Sequence, residues 1–174
     1  MKYIFTLLIA AAFIAAPMTE TKAQAVTDYE TAAGIRLGWG FTGTVKHFIN
    51  DAHAVELMLN YRWGWAFYNQ TRIVGLYQVH GGLDDIFEGL AWYWGGGGLV
   101  AFESYHSAFS DRSTRTYFGV AGVIGLDYAI SDLPINVSVD FMPNVTFGSR
   151  IDGVGYRRGF RGDLGGVAIR YILK

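Results

Sequence analysis

The sequence predicts an all-β chain: one eight-stranded antiparallel up-and-down barrel that spans a membrane. Three observations point there. Apolar residues recur with a period of two along most of the chain, which is the spacing of strands. The opposite face of those strands is made of glycine, small residues, amides and scattered charge. The composition is 51% hydrophobic and 17% charged, with 23 glycines and no cysteine in 174 residues. A soluble sandwich or barrel places large apolar residues inside and polar ones outside. Here the polar face is too sparse and too glycine-rich to meet water well. With the assignment reversed, the aliphatic and aromatic face meets lipid and the small, polar face fills a narrow lumen. Such strands must close on themselves, because hydrocarbon tolerates no unpaired edge.

The first 25 residues read as an address. Lys2 gives a positive start, residues 3–17 are uncharged and apolar, and Ala23-Gln24-Ala25 is a small-residue cleavage signal. This is the pattern of a secretory signal peptide, and the run is shorter than the ~20 residues a spanning helix needs. Residues 26–174 then form the barrel.

The first strand is expected over 29–40, where Ile35, Leu37 and Trp39 oppose Gly34, Arg36 and Gly38. A short loop at Phe41-Thr42-Gly43 leads to a second over 44–49. After the turn Asn50-Asp51-Ala52-His53, the third over 54–63 sets Val55, Leu57, Leu59, Tyr61 and Trp63 against Glu56, Met58, Asn60 and Arg62. A longer loop precedes the fourth, over 72–80. The link 83–90 precedes the fifth, over 91–105. Another long loop precedes the sixth, over 116–130, which alternates Phe118, Val120, Ile124 and Leu126 with Gly119, Ala121, Gly125 and Asp127. The turn Ser131-Asp132-Leu133-Pro134 leads to the seventh, over 135–147, and a long loop to the eighth, over 161–173. Short turns at one end and longer loops at the other are the outer-membrane pattern. An even strand count leaves both termini on the short-turn side, the periplasm.

The stretches Ala33-Gly34-Ile35-Arg36-Leu37-Gly38, Lys46-His47-Phe48-Ile49-Asn50-Asp51, Gly75-Leu76-Tyr77, Trp92-Tyr93-Trp94-Gly95-Gly96-Gly97 and Ile169-Arg170-Tyr171 follow in that order. In this arrangement the chain resembles the small eight-stranded outer-membrane barrels of Gram-negative bacteria, the OmpA/OmpX-like architecture, and outer-membrane β-barrel domain proteins more closely. The likeness covers nearly all of residues 26–174. It implies a location in the cell outer membrane, surrounding lipid and lipopolysaccharide as partners, delivery by the barrel insertion machinery, a monomer, and no cofactor. It also implies a closing aromatic residue; this sequence ends Ile172-Leu173-Lys174, with Tyr171 three positions before the end.

Alternation places Arg36, Lys46, Glu56, Arg62, Glu103, Asp127, Asp140 and Arg170 inside. An eight-stranded barrel is just wide enough for side chains to fill it, and charges buried there must pair or cost several kcal/mol each. The expected result is a network that plugs the lumen; a gated pore is the alternative. The four histidines, His47, His53, His80 and His106, lack metal-ligand spacing, so no metal is expected. Ser104, His106, Ser107 and Asp111 lie close together in sequence and keep a lipid-modifying enzyme open as another alternative, but the favoured reading is a protein without catalytic activity. Gly95 to Gly98 lacks the Lys-Ser/Thr and helix start of a phosphate loop. A net charge of −1 gives no reason to expect nucleic-acid binding, which usually needs a basic face. Trp39, Phe41, Trp63, Trp65 and Phe67 at one end, with Trp92, Trp94, Tyr128 and Tyr171 at the other, are expected to form two interfacial girdles. Arg150, Arg157, Arg158 and Arg161 are candidates for lipopolysaccharide phosphates, with a solvated loop paired to Asp152 and Asp163 as the rival reading.

Overall fold

The computed structural model describes residues 29–64, 68–83, 85–107, 110–148 and 157–173. The expected signal peptide lies outside them. Among the described residues there are ten strands: β1 (Thr31–Gly38), β2 (Gly40–Phe48), β3 (His53–Gly64), β4 (Tyr68–Gly82), β5 (Leu90–Ser107), β6 (Ser110–Ala129), β7 (Ile135–Phe141), β8 (Asn144–Gly148), β9 (Arg157–Arg161) and β10 (Gly166–Leu173). All the ladders are antiparallel. β1 through β6 pair in sequence, β6 pairs β7, β7 pairs β10, and β10 returns to β1, which closes the circle. The closing ladder runs from Thr31 opposite Leu173 to Gly38 opposite Gly166.

The ten strands make eight staves because two staves are interrupted. β7 and β8 both lie on β6 and are separated only by Met142-Pro143. Proline brings no N–H to a ladder, yet the Pro143 carbonyl still accepts from Gly122 N at 2.9 Å. β9 and β10 are separated by residues 162–165, which carry Asp163 and Leu164 into the interior.

The structure moves one expected turn. Residues 41–43 belong to β2, and the chain reverses at Trp39, with Gly38 opposite Gly40. Gly40 has φ +112°, a conformation that side chains rarely adopt, and this permits so abrupt a reversal. At the other end, Asn50 Oδ1 accepts from the N–H groups of Ala52 (3.1 Å) and His53 (2.9 Å), an Asx-type turn. Turns 49–52 and 130–134 and the link between β4 and β5 share this end, the terminal end, with Thr31 of β1 and Leu173 of β10. Trp39 and the last residues of β3, β5 and β8 lie at the opposite end, the loop end.

Burial is inverted relative to a soluble protein. Leu57 is 60% exposed and its neighbour Met58 2%. Ile35, Leu37, Val45, Leu59, Ile73, Val120, Leu126 and Ile169 are exposed, whereas Arg36, Lys46, Glu56, Asp127 and Arg170 are buried. Inside, Met58, Val74, Leu76, Tyr93, Leu99, Met142 and Leu164 form an apolar cluster, and Tyr29, Ala32, Phe48 and Ala54 pack near the terminal end.

Candidate functional site: the charged lumen

Each lumen charge sits on the inward position of an alternating strand, and the ladder register brings them together. Lys46 on β2 lies opposite Glu56 on β3, Arg170 on β10 opposite Asn136 on β7, and Asp127 on β6 opposite Ser138 on β7. Glu56 is the centre. One of its oxygens accepts from Arg170 Nη2 at 2.6 Å and Arg36 Nη2 at 3.2 Å, and from the Thr44 hydroxyl. Its other oxygen accepts from the Gln78 amide. Arg36 Nη1 also donates to Asp140 at 2.7 Å, and the Tyr93 hydroxyl donates to the same carboxylate at 2.6 Å. Arg170 Nη1 donates to Asn136 Oδ1 (3.1 Å) and Ser138 Oγ (2.8 Å).

The third carboxylate, Asp127, accepts from Lys46 Nζ at 2.8 Å and from the Asn136 amide. His80 Nε2 lies 3.6 Å from it. The Tyr29 hydroxyl completes the set at 3.4 Å. Burial, and secondarily the Asp127 charge, push the Tyr29 phenol well above its ordinary value, so it remains a donor. Three cations (Arg36, Lys46, Arg170) thus face three carboxylates (Glu56, Asp127, Asp140), with 0–2% of any of these paired side chains exposed. Buried charges persist where they are paired and further hydrogen-bonded, and both conditions hold. Lys46 also stands 4.3 Å from the centre of the Tyr93 ring. Gly125 makes room for that ring: a Cβ there would come 2.9 Å from Tyr93 Cζ and 2.6 Å from Asp140 Cβ.

The predicted charged set divides into two tiers. Arg62 and Glu103 belong to a second group nearer the loop end. There Arg72 grips Asp163 with two bonds, 3.0 and 2.8 Å, and Asn144 donates to the same carboxylate at 3.2 Å. Arg62 reaches Asp163 only at 3.7 Å, with its side chain one-third exposed. Gln70 donates to Glu103. Asp163, expected to pair with loop arginines, instead turns inward to Arg72. Thr44, Gln78, His80, Tyr93 and Asn136 also join the networks. Strand parity marks all five as inward, but the sequence alone does not show that they serve the charges.

The other candidate residues lie apart from this lumen. Trp39, Phe41 and Trp63 are exposed at the loop end, and Trp92, Trp94 and Tyr171 at the terminal end. Tyr128 is half-buried and meets Phe87 edge-on at 6.0 Å. Trp65, Phe67 and Arg150 lie outside the described residues, as do the side chains of Arg157, Arg158, His106, Ser107 and Asp111. Arg161 is exposed. Among the described residues no cluster of three or more His, Asp or Glu is arranged to hold a metal.

Two solved structures share this fold. One is the N-terminal β-barrel domain of Pseudomonas aeruginosa OprF, with a TM-score of 0.53 and 13% identity over 81% of this chain and 93% of that one. The other is Neisserial surface protein A, with a TM-score of 0.50 and 15% identity over 82% of this chain and 93% of that one. The chain has the fold of the eight-stranded outer-membrane barrels. No family model matches the sequence, and no curated protein does.

Proposed function

We propose that the chain is exported through its first 25 residues and resides in the outer membrane of a Gram-negative cell as a non-enzymatic monomeric barrel. Its role is structural or surface-interacting: the lumen is closed by its own side chains, and the loop end meets lipopolysaccharide. The observation that carries this reading is the inverted burial, with a balanced ion-pair set inside and aliphatic and aromatic side chains outside. The arginines expected to meet lipid phosphates are Arg150, Arg157, Arg158 and Arg161, supported by the exposure of Arg161 and the fit of guanidinium to phosphate.

The test pairs two measurements on the protein folded in detergent. Unboiled and boiled samples should migrate differently on a gel, and the unboiled form should give no steady conductance in a planar bilayer. Identical migration overturns the membrane barrel, and a stable conductance overturns the closed lumen.

A further inference from the structure

At the terminal end, the link between β4 and β5 folds onto the outer wall. It closes on itself: the Leu83 N–H donates to the Leu90 carbonyl at 2.8 Å, and the N–H groups of Ile86 and Phe87 both donate to the Leu83 carbonyl, at 2.8 and 3.0 Å. Gly89 then ties this turn to β6. It has φ +79°, its carbonyl accepts from Ala129 N at 3.0 Å, and a Cβ there would come within 2.6 Å of the Ala129 carbonyl oxygen. Strand parity fixes the side of the wall. Ala91 and Asp127 point inward and are fully buried, so their chain neighbours Leu90 and Tyr128, opposite each other in the ladder, point outward. Phe87 meets the Tyr128 ring edge-on at 6.0 Å, and it too stands on the outer side.

The link carries its apolar residues at the surface. Ile86 is 72% exposed and Phe87 62%. They continue the aliphatic and aromatic coat, because Phe87 meets Tyr128, and Trp92, Trp94 and Leu126 are exposed on the same outer face of β5 and β6. Leu133 is exposed in the neighbouring turn of the same rim. Asp85 and Glu88, on either side of the apolar pair, are exposed as well. Such a segment is too charged to enter hydrocarbon and too apolar to be left in water at no cost. The boundary between headgroups and acyl chains accepts both characters, and aromatic rings gather at that level.

We propose that the link between β4 and β5 is an interfacial foot that seats Ile86 and Phe87 in the surface of the leaflet at the terminal end. The apolar pair enters about 5–10 Å below the headgroups, the depth reached by amphipathic segments, and Asp85 and Glu88 stay at the polar boundary. The foot stands on one side of the barrel, beside β5 and β6, and anchors that wall in the leaflet. It rests on the membrane reading above and goes beyond it, because it gives a connecting segment outside the strands a lipid surface as its partner.

The chain has no cysteine, so single labels can report depth. Ile86→Cys, Leu57→Cys and Asp51→Cys are each labelled with a nitrobenzoxadiazole fluorophore, folded into phosphatidylcholine vesicles and checked for the heat-dependent gel shift. Leu57 is exposed in the middle of the wall, and Asp51 is exposed in a turn at the same end as the foot. Some of the lipids carry a quenching nitroxide, either near the headgroup or near the far end of the acyl chain. The label at position 86 should emit to the blue of the label at 51 and be quenched more by the shallow nitroxide than by the deep one. The label at 57 should show the opposite preference. A label at 86 that emits and quenches like the one at 51, with the label at 57 quenched, overturns the foot alone and leaves the link to water or to a soluble partner. A folded barrel whose label at 57 is quenched by neither nitroxide overturns the membrane reading and the foot with it.

Discussion

Glu56 holds the lumen together because it accepts from donors on four other elements. Arg36 comes from β1, Thr44 from β2, Gln78 from β4 and Arg170 from β10. Removing its charge takes away the carboxylate in contact with Arg170, whose remaining hydrogen bonds go to the neutral Asn136 and Ser138, while Arg36 retains Asp140. Breaking one partner of a buried pair costs about 3–5 kcal/mol. Glu56→Gln should therefore lower the unfolding free energy of the vesicle-inserted barrel by that amount, read as a lower guanidinium chloride midpoint. Combining it with Arg170→Met should return part of the loss, because the second cation is then no longer stranded. An unchanged midpoint for Glu56→Gln would show that the network does not bear on stability. The inward parity of Glu56 and Arg170 is legible in the sequence. Their contact is not: they lie 114 positions apart, and their meeting depends on strand order around the closed barrel.

At the scale of elements, alternation located the staves, while backbone detail decided where they bend. The β1–β2 reversal shows why. Phe41, Thr42 and Gly43 resemble a loop in composition, but they keep the period of two. The true turn residue, Trp39, is a ring of the kind that favours strands. The breaks at Met142-Pro143 and 162–165 were likewise hidden, the first inside an otherwise regular apolar alternation. The second turns Asp163 from a loop residue into an internal ion-pair partner. The two glycines of the β2 hairpin arm give a contrast. A side chain at Gly40 would sit at positive φ and press within 2.9 Å of the Tyr61 carbonyl. Gly43 has nothing within 4 Å. Gly40→Val should destabilise the folded barrel by about 1–3 kcal/mol, the cost of a strained backbone site. Gly43→Val should leave it nearly unchanged. Urea unfolding of the two variants side by side checks this, and equal midpoints would mean that the turn does not constrain the hairpin.

The whole molecule is a closed ladder with its polarity turned inside out, and this property separates a membrane barrel from a soluble carrier of the same topology. A carrier would place large apolar side chains in the lumen to meet a ligand. Here the apolar cluster around Tyr93 and Met142 shares the interior with balanced charges, and the aliphatic coat is outside. Leu57 lies mid-strand on that coat, between Val45 on β2 and Gly75 on β4. On a water-facing wall, replacing so exposed a leucine by arginine changes stability by no more than about 0.5 kcal/mol. On a lipid-facing wall near the bilayer centre, the same change costs roughly 2–4 kcal/mol, because the guanidinium must be drawn into hydrocarbon. Leu57→Arg is therefore expected to lower the unfolding free energy in phospholipid vesicles by that larger amount. The same substitution at Trp63, near the loop-end margin, should cost less, since the penalty fades toward the interface. A Leu57→Arg barrel as stable in vesicles as the wild type would place this wall in water and return the aliphatic coat to an ordinary protein surface.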